Sequence, residues 1–158
     1  MSNEPKEKAL PAIESLKGKT EDQLYAQLGM RDKAIEKDPS KGESYNPTVI
    51  FDGTTMGLKD DIVDFGKQLF KTYQLQAYNL ACGADKSNDS DRKDLMNAFG
   101  LGDATFAAAI ATVLVAQVGI APAIASVVGV LVIKLFFRPT YEQFCKAWSK
   151  SVKGASTS

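Results

Sequence analysis

Apolar residues recur every three or four positions along most of this chain, the period of a helix with one buried face. The first run is short: Leu10, Ile13 and Leu16, closed by Gly18. Residues 1–9 ahead of it are mostly charged and polar, and 1–19 together read as a mobile or partly helical N-terminal segment. Thr20 opens a stronger element. Thr20 and Gln23 form a capping-box pattern, and Glu21 and Asp22 suit the positive end of a helix dipole. Leu24, Tyr25, Leu28 and Ile35 then lay down a thin apolar stripe as far as Lys37. Asp38 to Pro47 holds two prolines, a glycine, two serines and an asparagine, and reads as an exposed linker. Thr48 to Phe51 is β-branched and aromatic but has no partner strand, so it is expected to plug into the core as an extended anchor.

A long helix is predicted over 58–82, with Leu58, Ile62, Phe65, Leu69, Tyr73, Ala77 and Leu80 on its apolar face and Lys59, Asp60, Lys67, Lys71 and Gln74 on the other. Cys82-Gly83 is a natural stop. A polar loop from Ala84 to Asp91 leads to a short helix holding Leu95, Met96 and Phe99, which ends at Gly100. Near the C-terminus Arg138-Pro139 breaks the chain. A last helix then begins at Pro139 or Thr140, with Tyr141, Phe144, Cys145 and Trp148 on one face, and residues 154–158 form a disordered tail.

Between these elements the character changes. From Ala104 to Phe137 the only charged residue is Lys134, and Gln117 is the other strongly polar side chain. Gly119-Ile120-Ala121-Pro122 interrupts the run, and proline is suited to the first turn of a new helix rather than to a helix interior. Two helices are therefore predicted, 104–118 and 122–137, with Asp103 as N-cap of the first. Both carry small residues four apart: Ala108, Thr112 and Ala116 on one, Ala121, Ala125 and Gly129 on the other. This spacing lets two backbones approach closely. A helix apolar all round belongs in a protein core or in a membrane. Each arm is roughly 22–24 Å long at 1.5 Å per residue, short of the roughly 30 Å that a membrane span covers. A buried central hairpin wrapped by the amphipathic helices is the expected resting state. In its Ala/Val/Ile-rich arms, Gly-containing turn and basic flanks, the 104–137 stretch resembles the buried hairpin of pore-forming colicin domains. That resemblance is of pattern rather than motif, and it implies a hairpin able to insert into lipid.

Composition narrows the chemistry. The chain has 158 residues, 44% hydrophobic and 24% charged, enough for one ordinary globular domain. There is no histidine, which removes Ser-His and Cys-His nucleophile pairs, His-ligated zinc and histidine pH switches. Two cysteines, Cys82 and Cys145, are too few for a disulfide scaffold. They are expected to pack as buried thiols in a reducing compartment, a single bridge being the other option. The net charge is zero but unevenly spread: residues 105–158 carry five positive charges against Glu142 alone, while 51–104 are net negative. The two parts are expected to attract each other, or the tail to meet an anionic partner.

Individual motifs give little. The Asp85–Asp91 run fails as a calcium loop, because Ser90 and Met96 stand where an EF-hand needs glycine and glutamate. Asp60, Asp61 and Asp64 match a helix dipole without further metal ligands. Ala34 to Pro39 resembles the end of a tetratricopeptide repeat, but no second copy follows. Gly100-Leu101-Gly102 lacks the strand and third glycine of a phosphate loop. No recognition motif or overall basic charge supports nucleic-acid binding.

The expectation is an all-α, compact, bundle-like domain of five to six helices around the apolar hairpin, with residues 20–153 as the domain. Functionally it reads as a non-enzymatic protein acting through protein–protein contacts, with no catalytic, metal or cofactor site and an unidentified protein partner. The alternative is a membrane-inserting or pore-forming protein that uses the hairpin on an anionic membrane. The residues singled out are Ala108, Thr112, Ala116, Gly119, Pro122, Ala125, Gly129 and Lys134 of the hairpin, and the flank of Arg138, Tyr141, Lys146, Trp148 and Lys150. The expected setting is cytoplasmic, or membrane-associated in the alternative.

Overall fold

A computed structural model describes residues 4–47, 59–83 and 89–156. The expected anchor at 48–51, Leu58 and the loop positions 84–88 lie outside the described residues. The described residues are all helical apart from turns. Among the described residues seven helices appear where five to six were expected: α1 (Glu4–Lys17), α2 (Glu21–Lys37), α3 (Lys59–Cys82), α4 (Asp89–Phe99), α5 (Asp103–Val113), α6 (Pro122–Phe136) and α7 (Tyr141–Ser156). A 3-10 turn, Pro39–Glu43, follows α2, and a π-helical turn, Leu114–Val118, extends α5. The extra helix is α1, which covers most of the segment expected to be mobile or partly helical. It packs Ala9, Ala12, Ile13 and Leu16 into the core and keeps Pro11 on its exposed face. The seventh helix also runs on to Ser156, into the expected tail.

The centre of the molecule is α6 rather than the hairpin as a pair. Every residue from Ala123 to Ile133 is buried. A helix with no polar face must be covered on all sides, and α1, α2, α3, α5 and α7 all pack against it. Each buried Val, Leu or Ile there contributes on the order of 1.5–3 kcal/mol. By contrast α5 is buried from Phe106 to Ala111 and then runs to the surface, with Ala116 and Gln117 exposed.

Capping at two helix starts follows the sequence. The Gln23 N–H donates to Thr20 Oγ1 at 3.1 Å and the Thr20 N–H to Gln23 Oε1 at 2.9 Å, completing the capping box. Thr140 caps α7 by accepting from the Gln143 N–H at 3.1 Å. Asp103 does not cap α5. It is the first residue of that helix, after Gly102 at φ 120, and pairs with Lys17 instead.

Several faces are turned from their expected register. On α3, Phe70 and Gln74 are buried, while Phe65, Leu69 and Tyr73 are only half-buried. Of the three apolar residues named on α4, Leu95 is buried and Phe99 half-buried, while Met96 is 51% exposed. The stripe on α2 is wider than expected, because α2 is sandwiched. Leu24, Leu28 and Arg31 are buried, and Ala26 joins Ile62 and Val63 of α3 in a small cluster of their own. The cause is glycine. A Cβ built at Gly66 would collide with the Tyr25 carbonyl, and one at Gly29 would lie 2.9 Å from the Ile62 carbonyl oxygen, so α2 and α3 touch backbone to backbone.

The same logic fixes the hairpin. A Cβ at Gly129 would sit 2.7 Å from the Ala107 carbonyl oxygen and 3.7 Å from the Ala111 nitrogen. The small residues of α5 that meet Gly129 are therefore Ala107 and Ala111, not the expected row of Ala108, Thr112 and Ala116.

These contacts make a direct prediction. Gly66→Ala and Gly129→Ala will each destabilise by about 1–3 kcal/mol, because backbone must move to admit the methyl group. Gly100→Ala, whose new Cβ would meet only the Asn97 carbonyl oxygen at an ordinary 3.5 Å, will cost less than about 1 kcal/mol. Urea unfolding midpoints of the three variants measure this, and equal losses would disprove it.

Candidate functional site

The hairpin ends in a tip without charge. The π turn closes on Gly119, whose φ of 80 is the left-handed conformation that glycine adopts freely. Pro122 opens α6, with Ala121 as its N-cap. Gly119 is exposed and Val115, Val118, Ala121 and Pro122 are half-buried, so the tip presents small apolar groups to the surroundings. The 3-10 turn packs beside it, where Gly42 meets the Ala121 methyl.

The singled-out hairpin residues do not form one surface. Ala108, Ala125 and Gly129 are core. Thr112 is half-buried and returns its hydroxyl to the Ala109 carbonyl at 3.0 Å. Ala116, Gly119 and Pro122 belong to the tip. Lys134 lies at the other end, where its ammonium donates to the Lys17 carbonyl at 3.3 Å and caps α1. Beside it Lys17 pairs with Asp103 at 2.8 Å, around a hollow of about 80 Å³ also lined by Val130 and Ile133. Both partners are substantially exposed, so the pair contributes at most about 1 kcal/mol.

The expected basic and aromatic flank separates into two layers. Trp148 is fully buried and stacks on Phe136, and its indole N–H donates to Gln74 Oε1 at 3.3 Å. Tyr141 is half-buried in an aromatic cluster with Phe99, Phe106 and Phe144, and its hydroxyl donates to the Ala81 carbonyl at 2.7 Å. Burial pushes the Tyr141 phenol up to about 12, with Arg92 pulling the other way. Arg138, Lys146 and Lys150 stay exposed, and Lys146 pairs with Glu142 at 3.4 Å.

Cys82 and Cys145 are joined in a disulfide between the end of α3 and α7, which corrects the expectation of free buried thiols. The ring it closes spans 63 residues and contains α4, α5 and α6. Closure of a ring this size removes unfolded-chain entropy worth on the order of 4 kcal/mol. Beside the disulfide lies an open groove of about 460 Å³, lined by Tyr78, Glu142, Cys145, Lys146, Ser149 and Lys150.

One polar cluster escaped the sequence reading. Arg31 is 1% exposed, and its guanidinium spreads over three segments. It donates to Gln27 Oε1 at 3.0 Å, to the Tyr45 and Ala123 carbonyls at 2.9 Å each, to Ser126 Oγ at 3.1 Å and to Asn46 Oδ1 at 2.7 Å. Ser126 completes the cluster by donating to the Tyr45 carbonyl at 2.6 Å. Among the described residues no carboxylate pairs with Arg31, and burial pulls its pKa down to about 10. The cluster binds the 38–47 stretch to the first turn of α6, so the exposed linker is also a fixed strap. A signal was present: Arg31 sits in the row Leu24, Leu28, Arg31, Ile35, at helical spacing on the buried face.

Among the described residues no group of His, Cys, Asp or Glu is arranged to hold a metal ion. No single helix among them is long and apolar enough to cross a membrane. The bent pair of α6 and Tyr141–Val152, at 102°, meets that length and composition test only together.

Two predictions follow from the buried polar groups. Arg31→Ala removes a donor from two carbonyls, a hydroxyl and two side-chain amides and will cost about 3–5 kcal/mol. Arg31→Lys will recover only part of this, since one ammonium cannot fork to acceptors on separate segments. Guanidinium unfolding, with amide exchange read at Tyr45 and Asn46, checks both.

The second concerns alkaline pH. An unfolded Tyr141 ionises near 10.0 but the folded phenol holds its proton to about 12. Its stabilising contribution is complete well below pH 10 and lost as pH rises through 12. Arg31 works in the opposite sense. Its buried charge is released from about 10, whereas the unfolded guanidinium holds its proton to higher pH, so the burial cost is relieved in this window. Tyr141→Phe removes only the first effect. Wild type will therefore lose about 2 kcal/mol more than Tyr141→Phe between pH 10 and 12, and parallel stability curves would refute this.

Comparison with protein-family models, with curated protein sequences and with solved structures finds no match to this chain.

Proposed function

We propose that this chain is a non-enzymatic helical protein that works by docking the apolar tip of its hairpin onto a protein partner. The observation that carries this reading is the half-covered, uncharged surface of Val115, Ala116, Val118, Gly119 and Pro122, held in place by the Arg31 strap. Apolar side chains left open at a rigid, preorganised tip favour association, because little conformational entropy is lost on binding. The Cys82–Cys145 bond supports action in a setting where disulfides persist rather than in a reducing cytosol.

The second reading is membrane insertion. It is favoured by a different observation: the arms of the hairpin meet through Gly129 and Ala107 without any polar side chain at that contact. Contacts of this kind hold helices together in lipid as well as in protein. On this reading the basic residues Arg138, Lys146 and Lys150 would stay at an anionic surface.

One pair of measurements separates the two. A photo-crosslinking residue at Ala116 will capture a discrete protein from the source cells, and Val115→Asp with Val118→Asp will abolish capture while leaving the fold intact by circular dichroism. Flotation with anionic and neutral vesicles at pH 7 and pH 5 will then show no binding. Vesicle binding with dye leakage, lost in the same variant, would instead establish the membrane reading. Neither capture nor binding would eliminate the tip as the working surface.

A further inference from the structure

We propose that the Cys82–Cys145 disulfide is a reducible switch, opened by an anionic thiol that enters over the basic groove and so releases α7 from the core. Three observations meet at this place. Both cysteines are only partly buried, so the bond lies at the surface of the domain. Cys145 forms part of the wall of the 460 Å³ groove, so a small thiol has room to approach it. Among the described residues, the charged groups lining that groove are Lys146, Lys150 and Glu142, a positive balance that favours a thiolate.

The exchange is a two-electron reduction by a dithiol, or by two monothiols of the glutathione class. A thiolate attacks Sγ of Cys145. The new sulfur–sulfur bond forms as the Cys82–Cys145 bond breaks, and Cys82 leaves as a thiolate that takes a proton from solvent. A second thiol of the reductant then attacks its own sulfur in the mixed disulfide. This yields the oxidised reductant and frees Cys145 as a thiolate, protonated in turn.

The consequence lies in what α7 covers. Trp148 stacks on Phe136 of α6, Phe144 packs edge-on against Phe106 of α5, and Tyr141 bonds to the Ala81 carbonyl at the end of α3. Oxidised, the bond holds α7 and the end of α3 together across this aromatic layer. Reduced, α7 is retained only by non-covalent contacts, and its detachment uncovers the aromatic base of the hairpin.

The test uses the full-length protein. Reduction by dithiothreitol under native conditions, quenched by alkylation and read by mass, will be first order in thiol and faster than global unfolding measured separately. Saturation at the unfolding rate would overturn the proposal, since the bond would then open only in unfolded chains. Amide exchange of the reduced protein, and of Cys82→Ala with Cys145→Ala, will rise at least tenfold over residues 141–152 while α6 stays protected. Unchanged exchange there would also overturn it. Lys146→Glu with Lys150→Glu will slow reduction by anionic glutathione several-fold and accelerate reduction by cationic cysteamine. Equal effects on both thiols would remove the basic groove from the mechanism.

Discussion

Everything in this fold is arranged around the need to cover α6. A helix that carries apolar side chains at every azimuth has no side it can turn to water, and one neighbour cannot satisfy it. Five helices must converge on it, and the amphipathic character of α1, α2, α3 and α7 is the counterpart of that demand. The same requirement explains α1. A short segment with Leu10, Ile13 and Leu16 as its larger apolar residues is recruited as a full helix because it covers the flank of α5 and α6.

Convergence of so many helices on one axis leaves little room, and the molecule makes room by deleting side chains. Gly66 brings α3 onto α2, and Gly129 brings α6 onto α5, each at a distance that no Cβ would permit. Close packing of this sort gains dispersion energy from many backbone atoms at once. Where polar backbone at the start of α6 lacks solvent, Arg31 supplies the donors. The cost of burying its charge is offset only in part by five hydrogen-bonding contacts, and the remainder is visible in its lowered pKa.

Local signals were legible in the sequence and spatial ones were not. Thr20 with Gln23, Gly119 before Pro122, and Cys82-Gly83 at the end of α3 act within a turn of helix, so neighbouring residues suffice to read them. The buried faces were read less well because packing on two sides widens a stripe. Gln74 fell on the polar side of α3 by spacing, yet Trp148 of α7, far along the chain, gives it a partner. Ala107 and Ala111 rather than Ala108, Thr112 and Ala116 meet Gly129 because the rotation of α5 is set by α1 and α4 as well as α6. Arg31 was hidden for a related reason: its acceptors come from the 38–47 strap and α6, a pairing only tertiary structure creates. The disulfide was equally unreadable, since two cysteines 63 residues apart show nothing of their distance in space.

The contact between Gly129 and the Ala107 carbonyl has one more implication. It is made of main chain against main chain, and its strength owes nothing to the expulsion of water. Such a joint works alike in a protein interior and in an oily solvent. The two arms of the hairpin are thereby joined independently of their surroundings: the contact between α5 and α6 does not need the other helices to make it, and the charges of the pair, Asp103 and Lys134, lie at the end away from Gly119.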